Sequence, residues 1–126
     1  MIAKIYYYIK QGHHSDNLEL KQLWHTIEKD FDGSEVQLTR KLFNSNWKML
    51  PFKESSKKHN RDVLFAKYNS SDKNPLANDN GQEILRSLGL KHTSMSIGDI
   101  VKFRTVYWMC VSEGWVKVRF SNEDLT

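Results

Sequence analysis

The chain has 126 residues, of which 39 % are apolar, and it contains four Trp, five Tyr, six Phe and one cysteine. This length provides for one hydrophobic core, and the aromatic content excludes a disordered chain, which lacks the apolar surface that offsets the entropy of ordering. A single cysteine excludes an intramolecular disulfide, and no stretch has the roughly 18 apolar residues of a membrane span. We therefore expect one α+β domain over residues 1–126, located in the cytoplasm and without membrane contact.

The formal net charge of +4 is unevenly distributed. Seven basic residues and one acid, Glu54, lie between Arg40 and Arg61, which we call the basic segment, and the remainder is slightly acidic. The placement of charge indicates a partner better than the total does. The basic segment is therefore the first candidate for contact with an anionic partner.

The first predicted elements are a strand and a helix. Apolar and polar positions alternate over residues 2–9, which predicts a strand with one buried face. Its two sides are Ala3, Ile5, Tyr7 and Ile9 against Lys4, Tyr6, Tyr8 and Lys10. Asp16 and Glu19 then have the spacing of a capping box, and apolar residues recur at three and four positions from Leu20 to Phe31. This pattern predicts an amphipathic helix that ends near residues 32–33.

The middle of the chain has weaker periodicity. Ser34 and Gln37 repeat the cap spacing, so we expect a short helix over residues 35–43, with a strand as the alternative. Residues 44–60 are polar and basic and show no period, which favours a loop, whereas residues 63–68 have the composition of a strand. A cluster of turn residues at 69–75 predicts a flexible connection inside the domain.

The last third has the clearest pattern. Asp79 and Gln82 begin a predicted helix over residues 80–88, which Gly89 ends in a left-handed conformation. Three strands follow at 100–104, 107–111 and 115–120, and we expect the middle one at the centre of the sheet because both of its sides are apolar. The predicted fold is a small antiparallel sheet, made of the N-terminal strand and this meander, packed with two or three helices. Residues 121–126 are expected to form a flexible tail.

Several motifs of the last third form a recognisable pattern together. They are Asn74-Pro75-Leu76-Ala77, Gly81-Gln82, Leu85-Arg86, Gly89-Leu90, His92-Thr93-Ser94-Met95-Ser96-Ile97-Gly98-Asp99-Ile100-Val101, Trp108-x-Cys110 and Gly114-Trp115. With Leu42-Phe43-Asn44 and Trp47 upstream, they resemble small proteins of plasmids and phages, including the YodL-like group, in which Ser-x-Gly-Asp-[Ile/Val] precedes a terminal hairpin. The resemblance implies an origin in a mobile genetic element and brings no activity with it. This chain departs from the pattern at Arg104-Thr105, where a turn containing Gly is usual.

Residues 92–99, which we call the signature loop, allow a functional and a structural interpretation. The candidate residues are His92, Thr93, Ser94, Ser96, Gly98 and Asp99. Their hydroxyl and N–H groups could bind a phosphate or a partner. We favour a structural role, in which the hydroxyls satisfy backbone groups, Asp99 holds the turn through its side chain, and Gly98 adopts a conformation that a Cβ would hinder.

The basic segment allows a similar pair of interpretations. Its candidate contact residues are Arg40, Lys41, Trp47, Lys48, Phe52, Lys53, Lys57, Lys58 and Arg61. Lys and Arg neutralise phosphates, and aromatic rings provide surfaces on which bases stack, so the combination is compatible with nucleic-acid binding. The alternative is a solvated basic loop that its aromatic rings anchor to the core.

Catalytic and metal sites are not indicated. His13, His14, His25 and Asp16 match no known ligand spacing, and Cys110 lies in the central strand, where we expect a buried and inert thiol. The sequence contains no glycine-rich phosphate loop and no nucleophile elbow. We therefore expect no catalytic residue, no metal and no cofactor.

The functional hypothesis that follows is an accessory protein of a phage or other mobile element. We expect it to act by binding nucleic acid, or a host protein that handles nucleic acid, such as a restriction or defence nuclease, through the basic segment. The first alternative is a protein-only interaction module that uses a sheet edge or the aromatic residues Tyr6, Tyr8 and Trp115. The second is an enzyme acting on nucleotides or nucleic acid, whose ionisable residues are distant in sequence.

Overall fold

The fold is that of a computed structural model, which describes residues 2–9, 17–28, 35–55, 60–112 and 114–121. Seven strands and four helices occur in this part of the chain. The strands are β1 (Ile2–Tyr8), β2 (Val36–Leu38), β3 (Trp47–Met49), β4 (Glu54–Ser55), β5 (Ile100–Phe103), β6 (Val106–Val111) and β7 (Gly114–Phe120). The helices are α1 (Leu18–Glu28), α2 (Arg40–Asn46), α3 (Arg61–Lys67) and α4 (Asp79–Leu88).

All seven strands belong to one mixed sheet. The order is β2-β7-β6-β5-β1-β3, and β4 pairs with the start of β1. β2 runs parallel to β7, and the other pairs are antiparallel. The architecture is compatible with the predicted α+β class, but the sheet is larger than expected because β2, β3 and β4 extend it beyond β1 and the meander.

The sheet buries side chains on two faces. α1 and α2 cover the first face, to whose core they contribute Trp24 and Phe43, and α3 and α4 cover the second face, to which they contribute Leu64 and Leu85. Strand residues alternate between these cores. Tyr8, Ile100, Tyr107, Met109, Val116 and Val118 belong to the first, and Ala3, Ile5, Tyr7 and Val101 to the second. The result is a three-layer arrangement with the sheet in the middle.

The N-terminal strand is confirmed, but its single buried face is not. Tyr8 is 2 % exposed and belongs to the first core, while Ala3, Ile5 and Tyr7 are buried on the opposite side. β1 lies between β5 and β3, so helices cover both of its sides. The helix that follows is confirmed over Leu18–Glu28, and its expected end near residues 32–33 lies outside the described residues. The oxygen that caps it belongs to Asn17, which accepts from the Leu20 N–H at 3.1 Å, and the proposed cap Asp16 lies outside the described residues.

Residues 35–55 differ most from the expectation. A helix was predicted over residues 35–43, but its first part is the strand β2, which was the alternative. The helix α2 begins at Arg40, because Thr39 caps it by accepting from the Leu42 N–H at 3.1 Å. The expected loop contains the end of α2 and the strands β3 and β4. Both strands add to the outer edge of β1, a non-local pairing that no local pattern shows.

The predicted strand over 63–68 is a helix. Asn60 caps α3 by accepting from the Val63 N–H at 2.9 Å, and the buried residues Leu64 and Tyr68 recur at a spacing of four on the covered side. The turn that follows is anchored at Asn74, whose side-chain amide donates to the carbonyls of Tyr68 and Thr93.

The C-terminal third agrees closely with the prediction. α4 ends at Gly89, which has a φ of 72°, and β5, β6 and β7 form the expected meander with β6 inside the sheet. Asn78, one residue before Asp79, provides the cap. Arg104 adopts a φ of 58° in the β5–β6 turn, so a side chain occupies the left-handed conformation that glycine usually supplies. No helix in the described ranges has the length and apolar character to cross a membrane.

Candidate nucleic-acid interface

The fold disperses the basic segment instead of presenting it as one surface. Trp47 is 3 % exposed, and its Nε1 donates to the Gly98 carbonyl at 2.7 Å, so this ring is part of the core. Phe52 is half-buried against Tyr68. Lys41, Lys48 and Lys53 are exposed, and Lys57 and Lys58 lie outside the described residues.

The first and last residues of the basic segment, Arg40 and Arg61, lie on opposite faces of the sheet. The Arg40 guanidinium lies 3.8 Å from the ring centroid of Phe120, on the first face. The Arg61 guanidinium lies 3.8 Å from the ring centroid of Trp108, which points to the second face. Each arginine thus packs on an aromatic ring from outside the basic segment.

The helices cover the second face only partly over β6, β7 and β2. Trp115 is the only described residue of these three strands that packs against the core of the second face. Trp108 is half-buried, and Lys117, Arg119 and Gln37 are exposed beside it. We call Trp108, Arg61, Lys117, Arg119 and Gln37 the sheet platform.

Strand register brings the residues of the sheet platform together. Trp108 is opposite Lys117, whose Nζ lies 5.6 Å from the ring centroid, and Gln37 is opposite Arg119. Arg119 forms an ion pair with Glu35 at 3.1 Å, but both side chains are exposed, so water screens this contact strongly. The platform therefore combines one accessible indole ring with three cations, of which only Arg119 has an acidic partner among the described residues.

α3 fixes the position of Arg61 above the ring. Asn60 caps the helix, and Asp62 accepts a hydrogen bond from Trp115 Nε1 at 3.1 Å. Phe65 packs edge-on against the same indole. The first turn of α3 is thereby fastened to β7, and Arg61 projects over β6.

The signature loop is organised by the buried carboxylate of Asp99. Its oxygens accept the backbone N–H groups of Tyr8 and Ser96 at 2.9 and 2.8 Å, and they lie 3.0 and 2.8 Å from Nε2 of His92. The His92 ring stacks on Tyr7 at 4.5 Å. Burial raises the pKa of Asp99, and the contacts with His92 and the two N–H groups oppose that rise.

Two further residues of the signature loop, Gly98 and Thr93, contact other parts of the fold. Gly98 has a φ of 96°, and a Cβ there would collide with the indole of Trp24. The Thr93 carbonyl accepts from Tyr7 Oη at 3.0 Å, and the Thr93 hydroxyl is 3.0 Å from Gln82 Nε2. Ser94 is exposed. These contacts are structural in character.

A second buried carboxylate joins β4 to α3. Glu54 is 4 % exposed, accepts from Lys67 Nζ at 2.9 Å and accepts from the Tyr68 hydroxyl at 2.7 Å. Burial and the contact with Glu54 raise the pKa of Tyr68. The acid of the basic segment is thus an internal partner of α3.

The remaining candidates are placed as follows. Cys110 is 5 % exposed, and burial together with the nearby Asp99 raises its thiol pKa to about 12. His25 is exposed on α1, while His13 and His14 lie outside the described residues. Within ranges 2–9, 17–28, 35–55, 60–112 and 114–121, no three His, Cys, Asp or Glu side chains are grouped to hold a metal ion. The aromatic residues considered for protein contact are largely covered, because Tyr8 is buried and Tyr6 packs on Phe43.

Sequence reasoning missed Trp108, Lys117 and Arg119 as candidates. The alternation in the last strand does place both cations on its polar side, and Trp108 alternates with buried residues of β6. The alternation does not show how far the helices extend over the sheet. It therefore did not show that Trp108 is only half-buried and that Lys117 and Arg119 are exposed. Comparisons with protein-family models, curated proteins and solved structures found no significant match to this chain.

Proposed function

We propose that this chain acts by binding nucleic acid, and that the sheet platform is its contact surface. The observation that carries the proposal is the half-buried ring of Trp108, with Arg61 at 3.8 Å and Lys117 beside it, on a part of the sheet that the helices cover only partly. The role of accessory protein in a phage or other mobile element remains part of the proposal and rests on the resemblance alone.

The chemistry of the platform favours a single strand. Aromatic rings on an open sheet stack on unpaired bases, and nearby Lys and Arg side chains neutralise the phosphates between them. An arginine that already stacks on indole can present its outer surface to a further base. A duplex hides its bases, so only the cations would contribute to its binding.

Charge reversal on the platform tests this function. Lys117→Glu combined with Arg119→Glu should weaken binding of a fluorescent oligo-dT about tenfold or more at low salt, and should make the salt dependence shallower by roughly two phosphate contacts. Fluorescence anisotropy at several salt concentrations measures both quantities. Both side chains are exposed, so circular dichroism should show an intact fold.

A matched control carries the same change of charge elsewhere. Lys21→Glu combined with Lys73→Glu alters two exposed cations, one on α1 and one beyond the C-terminal end of α3. This control should bind oligo-dT nearly as the parent chain does. Equal losses in the two variants would show a general charge effect and would contradict a site on the platform.

The basic segment has its own test. Reversal of Lys53, Lys57 and Lys58 to Glu leaves the platform intact, so we expect a smaller loss than with the platform variant. A larger loss of oligo-dT affinity than in the platform variant would show that the basic segment is the main contact surface. Retention of a host protein at high salt after nuclease treatment, without any oligonucleotide binding, would instead support the protein-only module.

A further inference from the structure

Two cations of the first face converge on one phenol. Arg40 Nη1 lies 3.4 Å from the Tyr107 hydroxyl, and Lys102 Nζ lies 5.1 Å from the centroid of the same ring. Lys4 is the direct cross-strand partner of Lys102. We call Tyr107, Arg40, Lys102 and Lys4 the phenol cluster.

The phenol cluster places like charges side by side. Directly opposed residues of antiparallel strands have Cβ atoms about 5 Å apart, and equal charges in such a pair destabilise the sheet. Lys4 and Lys102 form such a pair, and Arg40 reaches the same phenol from α2. None of these cations has a carboxylate partner in the part of the chain that the structure describes. A bound anion would remove this repulsion.

The electrostatics of Tyr107 agree with this picture. Burial raises the pKa of Tyr107, but the hydrogen bonds and positive charges of Arg40 and Lys102 outweigh burial, so the phenol pKa is lowered. The site therefore stabilises negative charge at the hydroxyl position.

The cluster also has room for a ligand. A hollow of about 280 Å³ lies beside the cluster and is lined by Arg40, Tyr107, Phe120 and Thr105. Lys117 and Arg119 of the sheet platform also border this hollow, whereas Lys102 and Lys4 do not line it. The Arg40 guanidinium carbon lies 3.8 Å from the centroid of the Phe120 ring, and its Nη1 donates to the Tyr107 hydroxyl at 3.4 Å. Glu35 borders the same hollow, but it is paired with Arg119.

We propose that the phenol cluster binds the phosphate group of a phosphate monoester or of orthophosphate. Arg40 and Lys102 would donate hydrogen bonds to the phosphate oxygens, and the neutral Tyr107 hydroxyl would donate a third. Two or three cations match a dianion better than the single charge of an internal phosphodiester. The side chains of the phenol cluster lie on the face opposite Trp108, and the hollow beside them shares Lys117 and Arg119 with the sheet platform. The proposal does not depend on the proposed function.

Calorimetric titration of the full chain with orthophosphate at pH 8 and constant ionic strength tests the proposal. We expect saturable binding to the parent chain, and Arg40→Gln combined with Lys102→Gln should weaken it about tenfold or more. Tyr107→Phe should cause a smaller loss, because it removes one neutral donor. Absence of saturable binding, or unchanged binding to the double variant, overturns the proposal.

Further titrations distinguish the sources of the phosphate group. Tighter binding of adenosine 5′-monophosphate than of orthophosphate identifies a mononucleotide, and equal affinities identify the phosphate group alone. A preference for an oligonucleotide with a 5′-phosphate over the same oligonucleotide without one identifies a strand end. Each of these results supports the site.

Two controls separate this proposal from the previous one. Lys21→Gln with Lys73→Gln removes the same charge at two exposed positions and should bind orthophosphate as the parent chain does. Arg61→Glu should weaken oligo-dT binding and leave orthophosphate binding unchanged, because Arg61 belongs to the sheet platform and does not border the hollow. Loss of both ligands in that variant would show that there is one surface, and would contradict a separate phosphate site.

Discussion

At the scale of single residues, Asp99 connects more of the chain than any local pattern suggests. Its carboxylate holds Tyr8 on β1, Ser96 in the turn and His92 in the signature loop. Its backbone carbonyl accepts from the Cys110 N–H on β6 at 2.8 Å. Because the carboxylate is completely buried, its contacts replace the hydration that folding removes.

Replacement of Asp99 tests this role. Asp99→Asn removes the charge and one acceptor and leaves His92 or the Ser96 N–H without a partner, so we expect a loss of about 3 kcal/mol or more in the free energy of unfolding. Denaturant unfolding at pH 7 measures it. The exposed Asp72→Asn should change stability by less than about 0.5 kcal/mol. Similar values for the two variants would show that Asp99 has no special structural role.

At the scale of elements, the capping residue of α3 marks the start of the helix, whereas the composition of the segment wrongly indicates a strand. Val63 and Phe65 gave residues 63–68 the composition of a strand, yet both are exposed on α3. β-Branched and aromatic residues favour strands only weakly, and the Asn60 cap together with buried Leu64 and Tyr68 outweighs that preference. At β2 the reverse happened, because pairing with β7 overrides the cap spacing.

The cap of α4 provides a measurable case. Asn78 Oδ1 accepts from the Gly81 N–H at 2.7 Å, so Asn78→Ala should lower the free energy of unfolding by about 1 kcal/mol. Asn80→Ala is a matched control, because Asn80 is exposed on the same helix and does not cap it. It should be neutral or slightly stabilising, since alanine has the higher helix propensity. An equal loss in both variants would contradict the assignment of the cap.

At the scale of the whole molecule, the two-sided sheet buries ionisable groups that are neutral at pH 7. Burial raises the phenol pKa of Tyr7 and Tyr68, and it raises the thiol pKa of Cys110 to about 12. In the unfolded chain these groups ionise at their ordinary, lower pKa values. Stability is therefore complete below those values and is lost as the pH rises towards the folded-state pKa.

Alkaline unfolding checks this consequence. Above pH ~9 the unfolded thiol ionises while the folded thiol does not, so Cys110 alone should lower the free energy of unfolding by about 1.4 kcal/mol per pH unit. Cys110→Ala should make the decline between pH 9 and 10 shallower by that amount, whatever its effect at pH 7. An identical slope in the variant would mean that the thiol reaches solvent in the folded state.

The sequence by itself determined the elements whose signals are local. Alternation in the first strand and the meander, the glycine at the end of α4 and the turn residues after α3 all depend on neighbours within a few positions, and the strands, helix end and turn that they predict are present. The same local logic anticipated that Asp99 accepts a backbone N–H in its own turn, at Ser96.

Tertiary structure alone decided which side chains meet and which remain uncovered. Pairing of β2 with β7, and of β3 and β4 with β1, joins segments that are far apart in the chain. The first strand, for which one buried face was expected, becomes an internal strand that is buried on both sides. The helices cover the sheet only partly around Trp108. Arg40 and Arg61 lie on opposite faces of the sheet. Local patterns contain neither the register of distant strands nor the area that a helix covers, so the candidate surfaces follow from the fold and not from the basic segment.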